Sequence, residues 1–241
     1  MKRKSFFWRR VSFLFGFSVI CMLIVSVSYF AGERIASSGD DEPASAGDRI
    51  TVIIDAGHGG RDGGASTESG VLEKDLNLAV ALKLRDLMRE LDVDVVMTRE
   101  TDIMLADESS THKKRDDLNA RLNMAREREN CIFVSIHMNK FPVEKYSGLQ
   151  VYYSGNNEES LALAETIQAK AGEFLRKGNA RTVKKADSSI YILHNIEVPA
   201  VLVECGFLSN PEEAALLGTE EYQNKLAAVI FAAIAEHIQG E

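Results

Sequence analysis

The chain has 241 residues, of which 45% are hydrophobic, so it is long enough to bury a core in one ordinary domain with additional segments. Its 36 acidic and 28 basic residues leave a net charge of -8, which argues against a protein that must neutralise nucleic-acid phosphates. Three cysteines do not make a disulfide framework.

The N-terminal segment differs from the rest of the chain in both charge and hydropathy. Residues 1–10 are strongly basic, and residues 11–31, VSFLFGFSVICMLIVSVSYFA, contain no charged side chain. A helix rises about 1.5 Å per residue, so this run is long enough to cross a hydrocarbon layer of about 30 Å. The positive-inside rule then predicts a membrane anchor with a cytosolic N-terminus and with everything after residue 31 outside the cytoplasm.

Alternatives to a retained anchor stay open for residues 11–31. The sequence SVS at residues 26–28 resembles the small-x-small site at which a secretory signal is cleaved. A buried core helix is disfavoured, because the run is apolar all round and follows a basic segment. Residues 32–49 are small, polar and acidic, which predicts a flexible linker. The folded domain is therefore expected to span residues 50–241.

Short apolar runs alternate with longer amphipathic ones in the folded domain. This pattern predicts an α/β fold in which helices cover a largely parallel sheet. In chain order, the predicted elements are strand 50–55, helix 74–91, strand 93–98, helix 118–128, strands 132–137 and 149–153, helix 159–175, a candidate strand 190–193, strand 200–204, and helices 211–217 and 221–238. Residues 101–117 lack a clear period and are predicted to form a loop.

Residues able to do chemistry follow three of the predicted strands. The runs VIIDAGH, CIFVSIH and PAVLVE end on His58, His137 and Glu204. In open parallel sheets, ligands bind beyond the carboxyl ends of the strands, so we expect these side chains to converge although they are far apart in sequence. Glu73 begins the helix that follows the glycine-rich loop, and it is expected at the same edge.

This set of residue types is typical of a metal-dependent hydrolase. Two imidazoles and one carboxylate form a common catalytic zinc site that leaves a fourth position open. A second glutamate can then remove a proton from water and later protonate a leaving amine. Gly57, Gly59 and Gly60 allow a sharp turn and clear space around His58.

Other interpretations of these motifs are less consistent with the sequence. A phosphate-binding loop in GHGGRDGG would need a Gly-Lys-Ser/Thr ending, which is missing. Cys205 follows Glu204, and strand alternation predicts that it faces the packing layer. Asp62 or Asp55 would be the next candidate if Glu204 were not the base. The remaining histidines are predicted to be solvated: His112, His194 and His237.

The motifs IDAGHGGRDGGA, EKDLNLAVALKL, TRETD, SIHMN and PAVLVECGFLSNPEEAALL resemble, in order, those of zinc-dependent N-acetylmuramoyl-L-alanine amidases of the amidase_3 type. The resemblance covers nearly all of residues 50–240. It implies a twisted α/β fold with zinc bound by His58, Glu73 and His137. It also implies that Glu204 is the catalytic glutamate and that the substrate is the amide joining the lactyl group of muramic acid to L-alanine in peptidoglycan.

The N-terminal membrane segment and the run DSSIYIL resemble, more narrowly, the amidases of sporulation and germination in endospore formers. That resemblance implies removal of peptides from cortex muramic acid, so that a deacetylase can form muramic-δ-lactam. Some amidases of the family carry an inserted helix that blocks the zinc site, but the chain between Tyr153 and Leu161 is too short for one. We therefore expect control by another extracytoplasmic, membrane-associated protein, since confinement to one membrane raises its effective concentration.

Two other functions are consistent with the same residues. A zinc carboxypeptidase or endopeptidase acting on wall peptides would use the same metal chemistry, which cuts any accessible amide. A membrane-tethered wall-binding protein without activity is the alternative from another class. Glu204 weighs against it, because binding alone does not need this carboxylate.

Overall fold

A six-stranded sheet organises the part of the chain that the computed structural model describes, residues 49–175 and 179–240. Its strands are β1 (Thr51–Ala56), β2 (Asp94–Met97), β3 (Cys131–Asn139), β4 (Gln150–Tyr153), β5 (Lys184–Lys185) and β6 (Ala200–Phe207). The helices are α1 (Glu73–Met88), α2 (Lys113–Arg126), α3 (Glu159–Phe174), α4 (Tyr191–Asn195), α5 (Pro211–Leu217) and α6 (Glu220–Gln239).

The strands lie in the order β2, β1, β3, β6, β4, β5. Strands β1, β2, β3 and β6 run parallel to one another, whereas β4 is antiparallel to β6 and pairs in parallel with β5. The prediction of an α/β domain with a largely parallel sheet is confirmed. Because the four parallel strands point the same way, the residues at their carboxyl ends share one edge of the sheet.

Helices cover both faces of this sheet and give it two hydrophobic cores. On one face, Val52 and Ile54 pack with α1, α3 and α6. On the other face, Ile53 and Phe133 pack with α2 and α4. All four side chains are fully buried. Burial on both faces explains why β1 and β3 are continuous apolar runs in the sequence.

The start of α2 differs from the prediction of a loop over residues 101–117. The helix begins at Lys113, in a segment, KKRDD, that has no apolar residue and therefore no hydrophobic period. Its first turn is held by a polar contact, since the Ser110 hydroxyl donates a hydrogen bond to Asp116 over 2.5 Å. A polar contact of this kind leaves no periodic signal in the sequence.

The candidate strand at residues 190–193 is wrong. Tyr191–Asn195 form the short helix α4, because this conformation buries Ile192 and Leu193 together in the second core. Strand β5 lies next to β4 instead, and its two exposed lysines carry no hydrophobic signal.

The predicted cytosolic segment, the membrane helix and nearly all of the linker lie outside the described residues. Across residues 49–175 and 179–240, no helix combines the length and the apolarity needed to span a bilayer. The N-terminal anchor at residues 11–31 stays a prediction.

A buried ionic network lies at the end of β1. Asp55 accepts hydrogen bonds from Arg121 over 2.6 Å, from Ser135 over 2.5 Å and from Thr98 over 2.8 Å. Arg121 also contacts Asp117 over 2.8 Å. Burial alone would raise the pKa of Asp55, but the Arg121 charge and the hydrogen bonds hold it below its usual range. The buried charges are therefore paired with one another.

We expect Arg121→Ala to lower the free energy of unfolding by about 3–5 kcal/mol, because it leaves Asp55 charged, buried and without its cation. Arg85→Ala is the matched control, since Arg85 pairs with the exposed Asp86 and Glu100 and should cost less than about 1 kcal/mol. Urea denaturation of both variants measures the difference. Equal losses would contradict a stabilising role for the network.

Candidate metal centre and active site

The loop between β1 and α1 brings His58 to the carboxyl edge of the sheet. Strand β1 ends at Ala56, and the backbone of His58, at φ 61°, lies in the left-handed region. Gly59 has φ 139°, and its N–H donates to the carbonyl of Asp62 over 2.9 Å to close the turn. Glycine adopts such a conformation without steric cost, whereas a histidine at positive φ is uncommon, and strain of this kind clusters at functional sites.

Two buried arginines hold this loop in place. Arg99 donates from Nε to the carbonyl of Ala56 over 2.9 Å and from Nη2 to that of Gly57 over 3.0 Å. Arg121 donates from Nη2 to the carbonyl of His58 over 2.7 Å. The sequence patterns do not predict either arginine as part of the site. The available signal is Arg99 in TRETD, a charged residue directly after the predicted strand 93–98.

The side chains of His58, Glu73 and His137 meet at this edge. Glu73 Oε1 lies 3.2 Å from His58 Nε2 and 2.9 Å from His137 Nδ1. One donor atom from each residue lies within 4.8 Å of the others. Glu73 is the first residue of α1, whereas His137 lies inside β3 rather than at its end, because β3 continues to Asn139.

The Glu73 carboxylate is held from several sides. Its Oε2 accepts a hydrogen bond from the Ala65 N–H over 2.8 Å, and Oε1 accepts one from the Met138 N–H over 3.2 Å. Burial would raise the pKa of Glu73, but the hydrogen bonds and charges of His137 and His58 hold it well below its usual range. This carboxylate is therefore ionised.

Asp62 orients His58 from the other side of the ring. Its Oδ2 lies 2.9 Å from His58 Nδ1, which leaves Nε2 directed at Glu73. Burial lowers the pKa of His58, but the hydrogen bonds and charges of Glu73 and Asp62 outweigh this effect and raise the pKa to about 8. A carboxylate behind a histidine fixes its tautomer and orientation, an arrangement typical of metal-binding histidines.

The geometry of these side chains fits a bound metal ion. His58 Nε2 and His137 Nδ1 both point at Glu73 Oε1. This arrangement requires either a proton on each of the two nitrogens or a cation between the nitrogens and the carboxylate oxygen. In a tetrahedral zinc site with metal–ligand distances of about 2.0–2.1 Å, neighbouring donor atoms lie about 3.3 Å apart. The separations of 3.2 and 2.9 Å at Glu73 are close to this value, and the donor atoms of the two histidines lie within 4.8 Å of each other.

Glycine is required where the ligands approach the loop. A Cβ on Gly57 would lie 2.2 Å from His137 Nε2, far inside van der Waals contact. A Cβ on Gly64 would lie 2.5 Å from Glu73 Oε2. The loop therefore has space for these two side chains because it has no side chain at positions 57 and 64.

Glu204 lies beside His137 on the neighbouring strand. The two residues are paired in the parallel register of β3 and β6, so both side chains leave the sheet on the same face. Glu204 Oε2 is buried and has no hydrogen-bond partner within the described part of the chain. Burial raises the pKa of Glu204 to about 7, although the charge of His137 opposes the shift. A buried carboxylate oxygen without a partner is costly to stability, and such groups cluster at functional sites.

The alternative bases have other partners. Asp55 is bound to Arg121 inside the protein, and Asp62 supports His58. Cys205 is fully buried in the core on the opposite face of the sheet, as strand alternation predicts.

The remaining histidines lie outside the metal cluster. His112 and His194 are exposed, as predicted. The prediction of a solvated His237 is wrong, because its side chain is only 13% exposed and its Nε2 lies 3.8 Å from a carboxylate oxygen of Glu159.

The fold and the site together correspond to a known class of cell-wall enzyme. Residues 52–236 match the family model for N-acetylmuramoyl-L-alanine amidase, Amidase_3. The chain therefore belongs to this family.

Individual relatives place the chain more narrowly. It is 37% identical over 240 residues to the germination-specific N-acetylmuramoyl-L-alanine amidase of Bacillus subtilis, with 98% of this chain and 96% of that protein covered. Among solved structures, the CwlD amidase from Clostridioides difficile in complex with the GerS lipoprotein is similar, with a TM-score of 0.76, 40% identity, and 79% of this chain and 99% of that chain covered. The amidase AmiC2 of Nostoc punctiforme has a TM-score of 0.68 and 30% identity, over 79% of this chain and 97% of that chain.

We expect Gly57→Ala to weaken zinc binding at least about tenfold, because the new methyl group must displace the His137 ring. Gly172→Ala in α3 is the control, since its Cβ would lie 3.9 Å from the nearest atom and should leave binding unchanged. Competition with a chromogenic chelator measures the affinity, and circular dichroism shows that both variants are folded. Equal affinities in the two folded variants would exclude His137 as a ligand constrained by this loop.

Proposed function

We propose that this N-acetylmuramoyl-L-alanine amidase uses zinc, held by His58, Glu73 and His137, to hydrolyse the amide between the lactyl group of muramic acid and L-alanine in peptidoglycan. The observation that carries the proposal is the buried, unpartnered carboxylate oxygen of Glu204 beside the His-Glu-His cluster. Membership of the amidase family supports the choice of substrate.

The residues of this chain have separate tasks in the reaction. Zinc, when bound, supplies a Lewis acid that polarises the scissile carbonyl and makes water more acidic. Glu204 accepts the proton of the attacking water and donates it to the leaving amine of L-alanine. A group that accepts and then donates a proton works best when its pKa is near the operating pH, and burial raises the pKa of Glu204 in that direction. Asp62 keeps the ring of His58 oriented throughout.

We expect Glu204→Gln to keep zinc but to lower turnover by about 10² to 10⁴-fold. The glutamine side chain has nearly the same shape as glutamate, but it cannot accept the proton of the attacking water. Glu212→Gln, at an exposed position on α5, is the control and should retain wild-type rates. Product analysis on purified peptidoglycan should show free lactyl groups and peptides with N-terminal alanine. Wild-type turnover in a folded, zinc-loaded Glu204→Gln protein would show that another group is the base, and cleavage within the peptides alone would indicate a peptidase.

We also propose that the enzyme acts outside the cytoplasm on spore cortex, where removal of peptides prepares muramic acid for lactam formation. The similarity to a germination-specific amidase supports this context. Residues 11–31 would anchor the enzyme to the membrane, or would direct its secretion if they are cleaved.

Control by a membrane-associated partner is part of the same proposal. Only residues 154–158 connect β4 to α3, so there is no inserted helix at this point to block the site. The related CwlD amidase was solved in complex with the GerS lipoprotein, which supports a partner of similar kind here. Two proteins confined to one membrane surface associate at a raised effective concentration even through a weak contact.

We expect the purified enzyme alone to be incompletely loaded with zinc or slow, and a membrane-associated extracytoplasmic protein from the same cells to raise its zinc occupancy or its rate. Elemental analysis and peptidoglycan hydrolysis, with and without the lipoprotein fraction, measure both quantities. Full occupancy and rapid hydrolysis by the enzyme alone, unchanged by that fraction, would contradict the prediction.

A further inference from the structure

The segment that precedes β5 lies close to β6, the strand that carries Glu204. Glu204 on β6 is paired with Gln150, the first residue of β4. The Gln150 side chain donates a hydrogen bond to the carbonyl of Thr182 over 2.5 Å. The segment at residues 179–183 therefore lies against the same edge of the sheet as Glu204.

Arg181 in this segment is fixed by three contacts. Its Nε donates to the Ser147 carbonyl over 2.9 Å, and its Nη1 donates to Gln150 Oε1 over 3.3 Å. The guanidinium carbon lies 4.5 Å from the centre of the Phe207 ring, in a cation–π contact. Phe207 is three residues after Glu204 on β6. A guanidinium held in this way loses little conformational entropy when it binds a ligand.

No carboxylate forms an ion pair with Arg181 among residues 49–175 and 179–240. Arg85 and Arg121 are bound to acidic side chains, whereas Arg181, like Arg99, donates hydrogen bonds only to the oxygen atoms of uncharged groups in this part of the chain. Arg181 is partly exposed, and the N–H groups of its planar guanidinium that are not bonded to Ser147 and Gln150 can donate to a carboxylate ligand.

The proposed substrate carries a carboxylate at a suitable distance. In the stem peptide, L-alanine is followed by a D-glutamyl residue joined through its γ-carboxyl group, which leaves its α-carboxylate free. An extended residue spans about 3.3–3.6 Å, so this group lies within about 7 Å of the scissile amide. Arg181 is separated from Glu204 by a single side chain, that of Gln150, and paired residues of antiparallel strands have Cα atoms about 4.5–5.5 Å apart.

We propose that Arg181 is a specificity-determining residue that binds the free α-carboxylate of the second stem-peptide residue. The inference rests on the proposed amidase function. Arg181 holds the leaving peptide and orients its amine toward Glu204. It takes no part in the proton transfers.

The test uses zinc-loaded enzyme and glycan strands whose stems are trimmed to L-alanyl-D-glutamate, the carboxylate form, or to L-alanyl-D-isoglutamine, its α-amide. Both stems end in a free γ-carboxylate, so they differ only at the α-carboxyl group. The wild type should cleave the carboxylate form with a kcat/KM roughly tenfold to hundredfold higher, as a hydrogen bond to a charged group implies. Arg181→Gln should abolish this preference by raising KM for the carboxylate form while kcat changes less than about twofold. Arg181→Lys should restore only part of the preference, because it keeps the charge but loses the planar fork.

Lys185→Gln is the matched control, since it removes one positive charge from exposed β5 and should leave the preference intact.

Equal cleavage of both forms by the wild type would overturn the assignment while leaving the amidase function standing. A loss of the same size on both forms in Arg181→Gln would show a structural role instead. If the Arg181 substitutions affected cleavage only of longer stems, Arg181 would bind the carboxylate of the third residue instead. That result would also overturn the assignment. Failure of the wild type to cleave any muramoyl–alanine bond would refute the proposed function itself.

Discussion

The Arg121 guanidinium makes the contact on which the candidate site depends. It reaches from α2 to the Asp55 carboxylate and to the carbonyls of Ala56 and His58. One side chain thus joins a helix, a strand and the loop that carries His58. Burying such a charge has a large desolvation cost, which the pairing with Asp55 and Asp117 offsets. The same pairing fixes the path of the loop and hence the position of His58.

Once the loop is fixed, its glycines determine how closely the side chains of His137 and Glu73 can approach it. A Cβ at Gly57 would lie 2.2 Å from His137 Nε2, and a Cβ at Gly64 would lie 2.5 Å from Glu73 Oε2. A side chain at either position would displace the neighbouring histidine or glutamate. The glycines of this loop are therefore required because the His137 and Glu73 side chains lie against it, rather than because the loop must be flexible.

Much of this arrangement could be predicted from the sequence, because it depends on burial and on motif spacing. The apolar runs of β1 and β3 predict buried strands, and the four predicted site residues do lie close together, although His137 and Glu204 lie within their strands rather than at the strand ends. Features set by polar contacts could not be predicted in this way. Helix α2 begins in a fully charged segment at Lys113, and β5 consists of two lysines. Arg121 and Asp55 are 66 positions apart in the sequence, and no sequence pattern indicates that they form a pair in the folded chain.

The antiparallel direction of β4 determines which residues lie beside Glu204 on β6. Because β4 runs antiparallel to β6, its first residue, Gln150, is paired with Glu204, whereas a parallel β4 would bring its last residue, Tyr153, to this edge. Strand β5 runs parallel to β4, so the chain that precedes it arrives at the same place and positions Arg181 there. Parallel α/β sheets usually surround a site with loops. Here the ladder between β4 and β6 supports one side of the site, so Gln150 is held on a strand, and the segment that carries Arg181 is attached to it through the Gln150 side chain.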